Sequence, residues 1–380
     1  MLEYINKNMC PQELKEELNK LIENYNECTN KYLFIYAINP NLVDAPISID
    51  MDDYYTIRDI LRTDNSNKLS FYIETPGGSG EATEEIAKFL RDKYDYVDFI
   101  VAGECKSAGT ILTMCGDKIY MNETGSLGPI DAQIQIGRTI GSAYDYEEWF
   151  NEKKDEAEDN KLNNAEMIML AQISPQELKL VHNTLAYGKE LVIEFLSKYK
   201  FKNWKKTQSS QKNVTQEMRK ERAREIAEKL ANHSEWRTHG RSLKIADLEN
   251  SGLRIDNLKD NPDIDELVER IHVLLRLLIQ STDIYKLLVT KDNQLIKQAN
   301  EISEHPMPET IDVEGDCPNC GKKYIFYGRF VLDPRIDDIK KEEGKILLPE
   351  DGTFECSCGL VIDMSNEKNR IENEIGKIIY

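Results

Sequence analysis

Two glycine-containing turns, each lying between an apolar strand and a helix, constrain the fold more than any other feature of this sequence. Residues 75–80 (TPGGSG) follow the apolar run 69–73, and residues 103–110 (GECKSAGT) follow the apolar run 97–102. Strands that alternate with helices predict βα units and a parallel sheet covered by helices. Because ligands bind at the carboxyl ends of such strands, we expect both turns to lie in one site.

The second turn carries a serine where the strand ends and the helix begins. Backbone N–H groups in the first turn of a helix have no partner within the helix, so Ser107 is expected to lie beside free donors. On the first turn, Gly77 and Gly78 let the backbone approach closely because they lack a Cβ. This pattern predicts an acyl-transfer site with Ser107 as nucleophile. Its oxyanion hole is formed by the N–H groups of Gly77, Gly78 and Ala108. A simpler interpretation, a serine that only caps the helix, stays open.

Four segments in this order resemble the proteolytic subunit of the Clp protease, the signal peptide peptidase A family and, most closely, the serine dehydrogenase proteinases. They are residues 72–78 (YIETPGG), 106–110 (KSAGT), 125–131 (GSLGPID) and parts of 236–253 (WRTHGRSLKIADLENSGL). The resemblance implies an α/β fold with a ClpP/crotonase-like parallel sheet of ββα and βα units. It also implies a serine endopeptidase that cleaves peptide bonds through an acyl-enzyme.

The same resemblance implies which side chains activate the serine. In the serine dehydrogenase proteinases the catalytic order is serine, aspartate, histidine, which corresponds here to Ser107, Asp131 and His239. His239 is then the general base, and Asp131 holds its tautomer. Local sequence alone leaves open that Asp131 is an ordinary turn residue and that His239 merely lies beside a helix start.

Two other mechanisms stay open at this stage. A serine–lysine dyad, as in the signal peptide peptidases, would use Lys153, Lys154 or Lys161 as the base, whereas Lys106 is expected to point away from its neighbour Ser107. A crotonase-like thioester or acyl-binding protein would use paired backbone donors without a nucleophile. The presence of Ser107 discriminates between the peptidase and this second interpretation.

Changes in the sequence pattern predict separate domains. The expected boundaries are an N-terminal helix at 1–30, a ClpP-like peptidase domain at 31–258 with a helical insertion at 144–235, a helical connector at 259–308 and a zinc-ribbon domain at 309–380. The resemblance implies that the insertion serves subunit assembly, so a homo-oligomer is expected. Within it, residues 198–206 (KYKFKNWKK) interleave lysines with aromatics, which we interpret as a linker packed on a helix. Contact with an acidic or nucleic-acid partner is the alternative.

The C-terminal domain contains two close pairs of cysteines, each followed by a glycine. Cys317 and Cys320 form a C-x-x-C pair, and Cys356 and Cys358 form a C-x-C pair after 35 intervening residues. Four thiols at this spacing predict a structural zinc site. Buried or disulfide-bonded cysteines are the alternative, although disulfides are rare in a reducing cytosol. We also expect short ribbon strands between the pairs and an acidic hairpin tip near residues 337–343.

The charge and the distribution of apolar residues restrict the expected cellular location and the expected binding partners of the protein. The formal net charge of −19 argues against non-specific nucleic-acid binding, which needs clustered lysine and arginine. The chain start has no signal-peptide pattern, and no run approaches the ~20 apolar residues of a membrane span. We therefore expect a cytoplasmic protein without membrane contact. Its expected partners are a peptide or protein substrate, further copies of the chain and a separate protein recognised by the zinc ribbon.

Overall fold

The computed structural model describes residues 4–5, 7, 9–42, 45–130, 132–136, 139–207, 211–232, 236, 238–299, 310–330, 334–349 and 351–375. The chain forms two compact units, Met1–Glu301 and Ile302–Tyr380. Each unit has its own sheets and its own apolar core.

A seven-stranded sheet organises the first unit, with strand order β11-β10-β1-β2-β3-β5-β9. Strands β1, β2, β3, β5 and β9 pair in parallel, which confirms the predicted α/β fold with a parallel core. The bounds of these strands are Tyr32–Ile38 (β1), Lys68–Glu74 (β2), Tyr96–Val101 (β3), Lys118–Met121 (β5), Asp256–Asn257 (β9), Ile284–Val289 (β10) and Gln294–Gln298 (β11).

Strands β10 and β11 differ from the helical connector expected at 259–308. They form an antiparallel pair, and β10 adds to the edge of β1 in antiparallel orientation. The run Ile284–Val289 is fully buried. This apolar run directly follows a long apolar helix, so the sequence pattern alone does not show whether it is a strand or a continuation of the helix. It becomes a strand because β1 offers it a free edge with which to pair.

Strand β1 shows how the sheet separates two cores. All seven of its residues are buried. Phe34 and Tyr36 belong to the cluster on one face, whereas Leu33 and Ile35 belong to the cluster on the other. Because side chains alternate across a strand, a continuously apolar strand is what a sheet covered on both faces requires.

Helices cover both faces of the sheet. The helices that the structure describes over their full length in the first unit are Pro11–Thr29 (α1), Met51–Leu61 (α2), Gly80–Lys93 (α3), Ala108–Thr113 (α4), Ala143–Glu158 (α5), Asn164–Ala171 (α6), Pro175–Phe195 (α7), Gln216–Ala231 (α8), Ile245–Asn250 (α9) and Pro262–Ser281 (α10). A π-helical turn, Leu196–Lys200, extends α7, and a 3-10 turn, Leu258–Asp260, precedes α10. Helices α1 and α10 enclose one core, so the apolar face of α10 packs inside the protein. Within the described residues, no helix has the length and apolar character needed to cross a bilayer.

Two small additional sheets lie near the carboxyl edge. Glu104–Cys105 (β4) pairs in parallel with Ser126–Leu127 (β6), and Gln133–Ile136 (β7) forms an antiparallel hairpin with Thr139–Ser142 (β8). The hairpin leads directly into helix α5, whose first turn is capped by the Ser142 hydroxyl.

The second unit is small and built from short strands. It contains Thr310–Asp316 (β12), Lys323–Arg329 (β13), Ile346–Leu347 (β14), Thr353–Glu355 (β15) and Val361–Asp363 (β16), with helices Pro334–Glu342 (α11) and Ser365–Ile375 (α12). The acidic hairpin tip expected at 337–343 is wrong, because residues up to Glu342 belong to helix α11. Proline suits its first position and Lys340 and Lys341 its last turn, while the Asp337 carboxylate accepts a hydrogen bond from Tyr327 of β13 (2.9 Å).

Candidate active site and metal site

Ser107 has an unusual backbone conformation. It directly precedes helix α4 with φ of 49° and ψ of −116°, and its side chain makes no capping hydrogen bond. Non-glycine residues with positive φ are uncommon, and such strain is concentrated at functional sites. A helix-capping serine normally has extended backbone and bonds the first turn. Ser107 therefore does not behave as an ordinary N-cap.

The glycine turn lies against this serine. A Cβ placed on Gly77 would lie 2.8 Å from the Cβ of Ser107, and one on Gly78 would lie 2.3 Å from both the N and O of Ile49. The Ile49 backbone bonds the carbonyl of Gly77 (2.8 Å) and the N–H of Ser79 (2.8 Å). In this parallel pairing the N–H of Gly78 faces away from Ile49. Only glycine fits at these two positions.

The three predicted oxyanion donors are not equivalent. The N–H of Gly77 donates to the Thr75 hydroxyl at 3.1 Å. Gly78 and Ala108 both line the cleft that Ser107 lines. Ala108 is the first residue of helix α4, where the backbone N–H has no acceptor within the helix. Gly78 and Ala108 are thus better placed as donors than Gly77.

The four segments singled out in the sequence are joined by backbone pairing, in a group we call the site ribbon: residues 75–78, 103–107, 125–128 and 238–243. Thr75 pairs with Cys105, Cys105 with Leu127, and Leu127 with Leu243. The hydrogen bonds that join them range from 2.8 to 3.1 Å. The Thr110 hydroxyl reinforces the ribbon, since it lies 3.0 Å from the carbonyl oxygens of both Cys105 and Gly128.

Ser107 and His239 line the same cleft, which has a volume of about 720 Å³. Its apolar lining comes from helix α4 and from helix α7 of the insertion, with Ile111 and Leu180 as examples. His239 also lines a second cavity of about 280 Å³, together with Lys106 and Glu74. The structure thus brings the predicted nucleophile and the predicted base to one opening.

Asp131 lies outside the described residues. Its chain neighbours Ile130 and Ala132 both line the cleft. The role of Asp131 as the acid that orients His239 remains a prediction from the resemblance.

The lysines considered as alternative bases are engaged elsewhere. Lys153 pairs with Glu156 (2.7 Å) and Glu166 (2.9 Å), and these hydrogen bonds raise its pKa to about 12. Lys161 pairs with Asp159 at 2.7 Å. A lysine that holds its proton this strongly is a poor general base near neutral pH. None of the three lysines, Lys154 included, lines the cleft among the described residues.

Helix α7 supplies a wall of the cleft that the sequence did not reveal. Tyr187 packs over the start of helix α3, since a Cβ on Gly80 would lie 2.9 Å from its ring. Its hydroxyl donates to Glu84 of α3 at 2.6 Å. Helix α7 begins only at Pro175, far along the chain from Ser107, and no local signal connects the two.

The four C-terminal cysteines meet at one point of the second unit. Their sulfur atoms all lie within 4.8 Å of one another, with 3.7 Å between Cys317 and Cys358 and 3.6 Å between Cys320 and Cys356. Four thiolates about 2.3 Å from a central zinc would lie about 3.8 Å apart, so the cluster fits a tetrahedral metal ion.

The surroundings of the cluster suit thiolate ligands. The hydroxyl of Tyr324 lies 3.1 Å from the sulfur of Cys356, and this contact lowers the pKa of that thiol to about 6. Gly321 and Gly359 adopt φ of 71° and 84°, which lets each chain turn back behind its cysteine pair. These four cysteines could hold a metal ion.

Comparison with known proteins identifies the core. Residues 42–212 match the model of the ClpP-like SDH-type serine proteinases. This segment belongs to that family. The match includes Ser107 and the glycine turn of this SDH-type domain, and it ends before His239 and the cysteine cluster.

Two curated relatives come from Methanocaldococcus jannaschii. Uncharacterized protein MJ1495 is 26% identical over 207 residues, covering 54% of this chain and 58% of the relative. Uncharacterized protein MJ0137 is 34% identical over 83 residues, covering 22% of this chain and 29% of the relative. The chain therefore spans less than two thirds of the length of either relative. A solved mutant of the 1510-N membrane-bound stomatin-specific protease is 15% identical, with a TM-score of 0.34 and coverage of 58% of this chain and 79% of that one.

Proposed function

We propose that this SDH-type protein is a serine peptidase that hydrolyses peptide bonds through an acyl-enzyme on Ser107. The observation that carries the proposal is the conformation of Ser107. Its φ of 49°, without a capping bond, holds the side chain at the cleft that His239, Gly78 and Ala108 also line. Strain of this kind is typical of a nucleophile on a strand-to-helix turn.

The chemistry follows from these groups. The Ser107 oxygen attacks the carbonyl carbon of the scissile bond while His239 takes its proton. The N–H groups of Gly78 and Ala108 stabilise the oxyanion. When the C–N bond breaks, the imidazolium returns the proton to the leaving amine. Water then attacks the ester with His239 again as base, which releases the acid and restores the serine. Asp131, in this proposal, stabilises the imidazolium.

The second unit is proposed to bind one structural zinc ion through Cys317, Cys320, Cys356 and Cys358. A zinc site made of four thiolates has no open coordination position, so this ion would stabilise the fold and take no part in hydrolysis. We assign recognition of a substrate or partner protein to this unit. Assembly into a homo-oligomer and a cytoplasmic location are also proposals, testable by light scattering and by cell fractionation.

Reaction of the full-length protein with a fluorophosphonate probe tests the peptidase proposal. Ser107→Ala should abolish labelling, and His239→Ala should slow it by several orders of magnitude, roughly 10³-fold or more. Asp131→Asn should have a comparable effect. Ser79→Ala is a matched control, because Ser79 caps helix α3 through its hydroxyl and does not line the cleft.

Two results would contradict the proposal. Labelling that persists in Ser107→Ala would show that Ser107 is not the nucleophile. Labelling at the normal rate in His239→Ala would remove the base, and the search would return to the lysines of α5 and the following loop.

A further inference from the structure

The ammonium group of Lys106 lies at the centre of the site ribbon. Its Nζ donates to the hydroxyl of Ser242 at 2.7 Å, and to the hydroxyl of Ser126 and the carbonyl of Arg241 at 3.3 Å each. An ammonium has three donors, so these three oxygens satisfy it completely. Among the described residues, the only carboxylate within 4.0 Å of it belongs to the exposed Glu104.

Burying this cation costs free energy, and an uncharged side chain at the same position would not incur that cost. Lys106 is 6% exposed, and burial lowers its pKa. A buried charge is tolerated where its hydrogen bonds are satisfied, as they are here. Gly128 packs directly on this side chain, since a Cβ there would lie 2.9 Å from the Lys106 Cδ. The ribbon is thus built around the lysine.

The three acceptors of Lys106 belong to the chain segments that carry the proposed catalytic groups. Lys106 itself precedes Ser107, Ser126 begins the segment that leads to Asp131, and Arg241 and Ser242 follow His239. The contacts with Arg241 and Ser242 bear most directly on the position of His239. Residues Thr238 to Arg241 form a turn, closed by a bond of 3.2 Å from the Arg241 N–H to the Thr238 carbonyl, with His239 and Gly240 at its centre. Lys106 therefore holds one end of the turn that presents His239.

We infer that Lys106 is a positioning residue that fastens the turn carrying His239 to the turn carrying Ser107. The inference rests on the proposed peptidase function. Catalysis by an acid–base pair depends steeply on distance, and a displacement of about 1 Å can lower a rate roughly 10²-fold. Without the ammonium, Leu243 keeps its backbone bonds to Leu127, but the 238–242 turn that precedes it loses its tie to the nucleophile segment.

The test compares Lys106→Met with a matched lysine variant. Lys244 is an exposed lysine of the same region, and its Nζ donates to the carbonyls of Glu123, Thr124 and Gly125 at 2.9 to 3.1 Å. We expect Lys106→Met to lower the maximal rate of Ser107 labelling by fluorophosphonate about 10-fold to 100-fold. The probe concentration at half-maximal rate should stay unchanged. Lys244→Met should leave the rate within about twofold of the natural protein.

A double-mutant cycle distinguishes positioning from a general effect on the fold. If Lys106 acts through His239, adding Lys106→Met to His239→Ala should cause no further loss of labelling. An equal loss in both backgrounds, or no loss in the natural background, would overturn the inference. Normal labelling in His239→Ala alone would instead overturn the proposed peptidase mechanism, so the two failures are distinguishable.

Ser242→Ala provides a second route if Lys106→Met does not fold. Ser242 is exposed and makes the shortest contact with Lys106, so its removal is tolerated more easily. Labelling should fall several-fold in the natural background and not at all in His239→Ala. An unchanged labelling rate in Ser242→Ala, or an equal loss in both backgrounds, would exclude the positioning role.

Discussion

At the scale of single residues, the site is built from conformations that cost free energy. Ser107 has a positive φ, and Gly77 and Gly78 have φ of 113° and 152°. A strained non-glycine residue costs roughly 1–3 kcal/mol and persists only where its surroundings hold it. Here the surroundings are the Gly77 backbone on one side and helix α4 on the other. The strain at Ser107 and the absence of a Cβ on Gly77 therefore depend on each other.

Gly78→Ala tests the role of the second glycine of this turn as an oxyanion donor. The added Cβ would lie 2.3 Å from the backbone N and O of Ile49, so the glycine turn must shift and move the N–H of residue 78. We expect a loss of stability of about 1–3 kcal/mol. We also expect Ser107 labelling to slow by roughly 10²-fold to 10³-fold, the effect of removing one oxyanion donor. Urea unfolding and labelling kinetics measure the two effects.

Gly141→Ala is the matched control for this change. Gly141 has no positive φ, and a Cβ there would meet nothing within 4 Å. It should change neither stability nor labelling. Labelling at the natural rate in Gly78→Ala would show that the N–H of residue 78 is not an oxyanion donor.

At the scale of secondary-structure elements, the lysine-rich and aromatic segment after α7 is a packing element of the core. Tyr199 and Phe201 pack against the main cluster, and the Arg91 guanidinium lies 4.7 Å from the Tyr199 ring centroid. Lys202 pairs with the Asp117 carboxylate at 2.5 Å. These contacts use groups that nucleic-acid binding would need exposed, so they support the interpretation of this segment as a linker packed on its neighbours.

Lys200, in the π-helical turn of this element, predicts a pH dependence of stability. Burial lowers its pKa to about 8, although nearby Asp256 opposes the shift. Its pKa in the unfolded chain is about 10.4, so the folded protein bears the cost of the buried charge below pH 8. Between about pH 8 and pH 10.4 the folded state releases this proton first, and the cost disappears.

Lys200→Met should therefore be more stable than the natural protein at pH 7, and the difference should shrink as the pH approaches 10. Urea unfolding at both pH values measures it. Lys198→Met is the control, because Lys198 lies in the same turn but is exposed and has a raised pKa. A stability difference for Lys200→Met that stays constant with pH would contradict the assignment.

At the scale of the whole molecule, the two units differ in what stabilises them. The first unit has two large cores on opposite faces of its sheet. The second has one core, whose buried members are Phe326, Phe330, Leu348, Met364 and Ile371. A core of this size rarely stabilises a domain by itself, and small domains commonly add a metal site or disulfides. The cysteine cluster is the feature of the second unit that meets this need.

We expect purified protein to contain about one zinc ion per chain, measured by elemental analysis. The double variant Cys317→Ser, Cys320→Ser should lose the metal, and residues 310–375 should become sensitive to protease. Ser107 labelling should persist, since the first unit has its own cores. Cys10→Ser with Cys28→Ser is the control, because both are exposed cysteines far along the chain from the cluster. A metal content that the cluster variant leaves unchanged would refute the zinc site.

Local sequence was sufficient to predict several elements of this protein. The parallel sheet core, the serine on a strand-to-helix turn and the paired cysteines each depend on residues close together in the chain. Gly77 and Gly78 are informative because a missing Cβ permits close approach of another backbone. The apolar run of β1 is informative because a fully apolar strand requires cover on both faces of the sheet. The family match at 42–212 agrees with those local signals.

Tertiary structure decided what depends on contacts between distant segments. The pairing of β10 with β1, the wall of the cleft from α7 and the bond of Lys106 to Ser242, 136 positions away, join distant residues, so no periodicity records them. Lys106 is the clearest case. From the sequence it is a charged neighbour of Ser107 that should point away, and it does. Only the pairing of the four ribbon segments shows that it points at the turn carrying His239, because a side chain's partners are set by the fold that surrounds it.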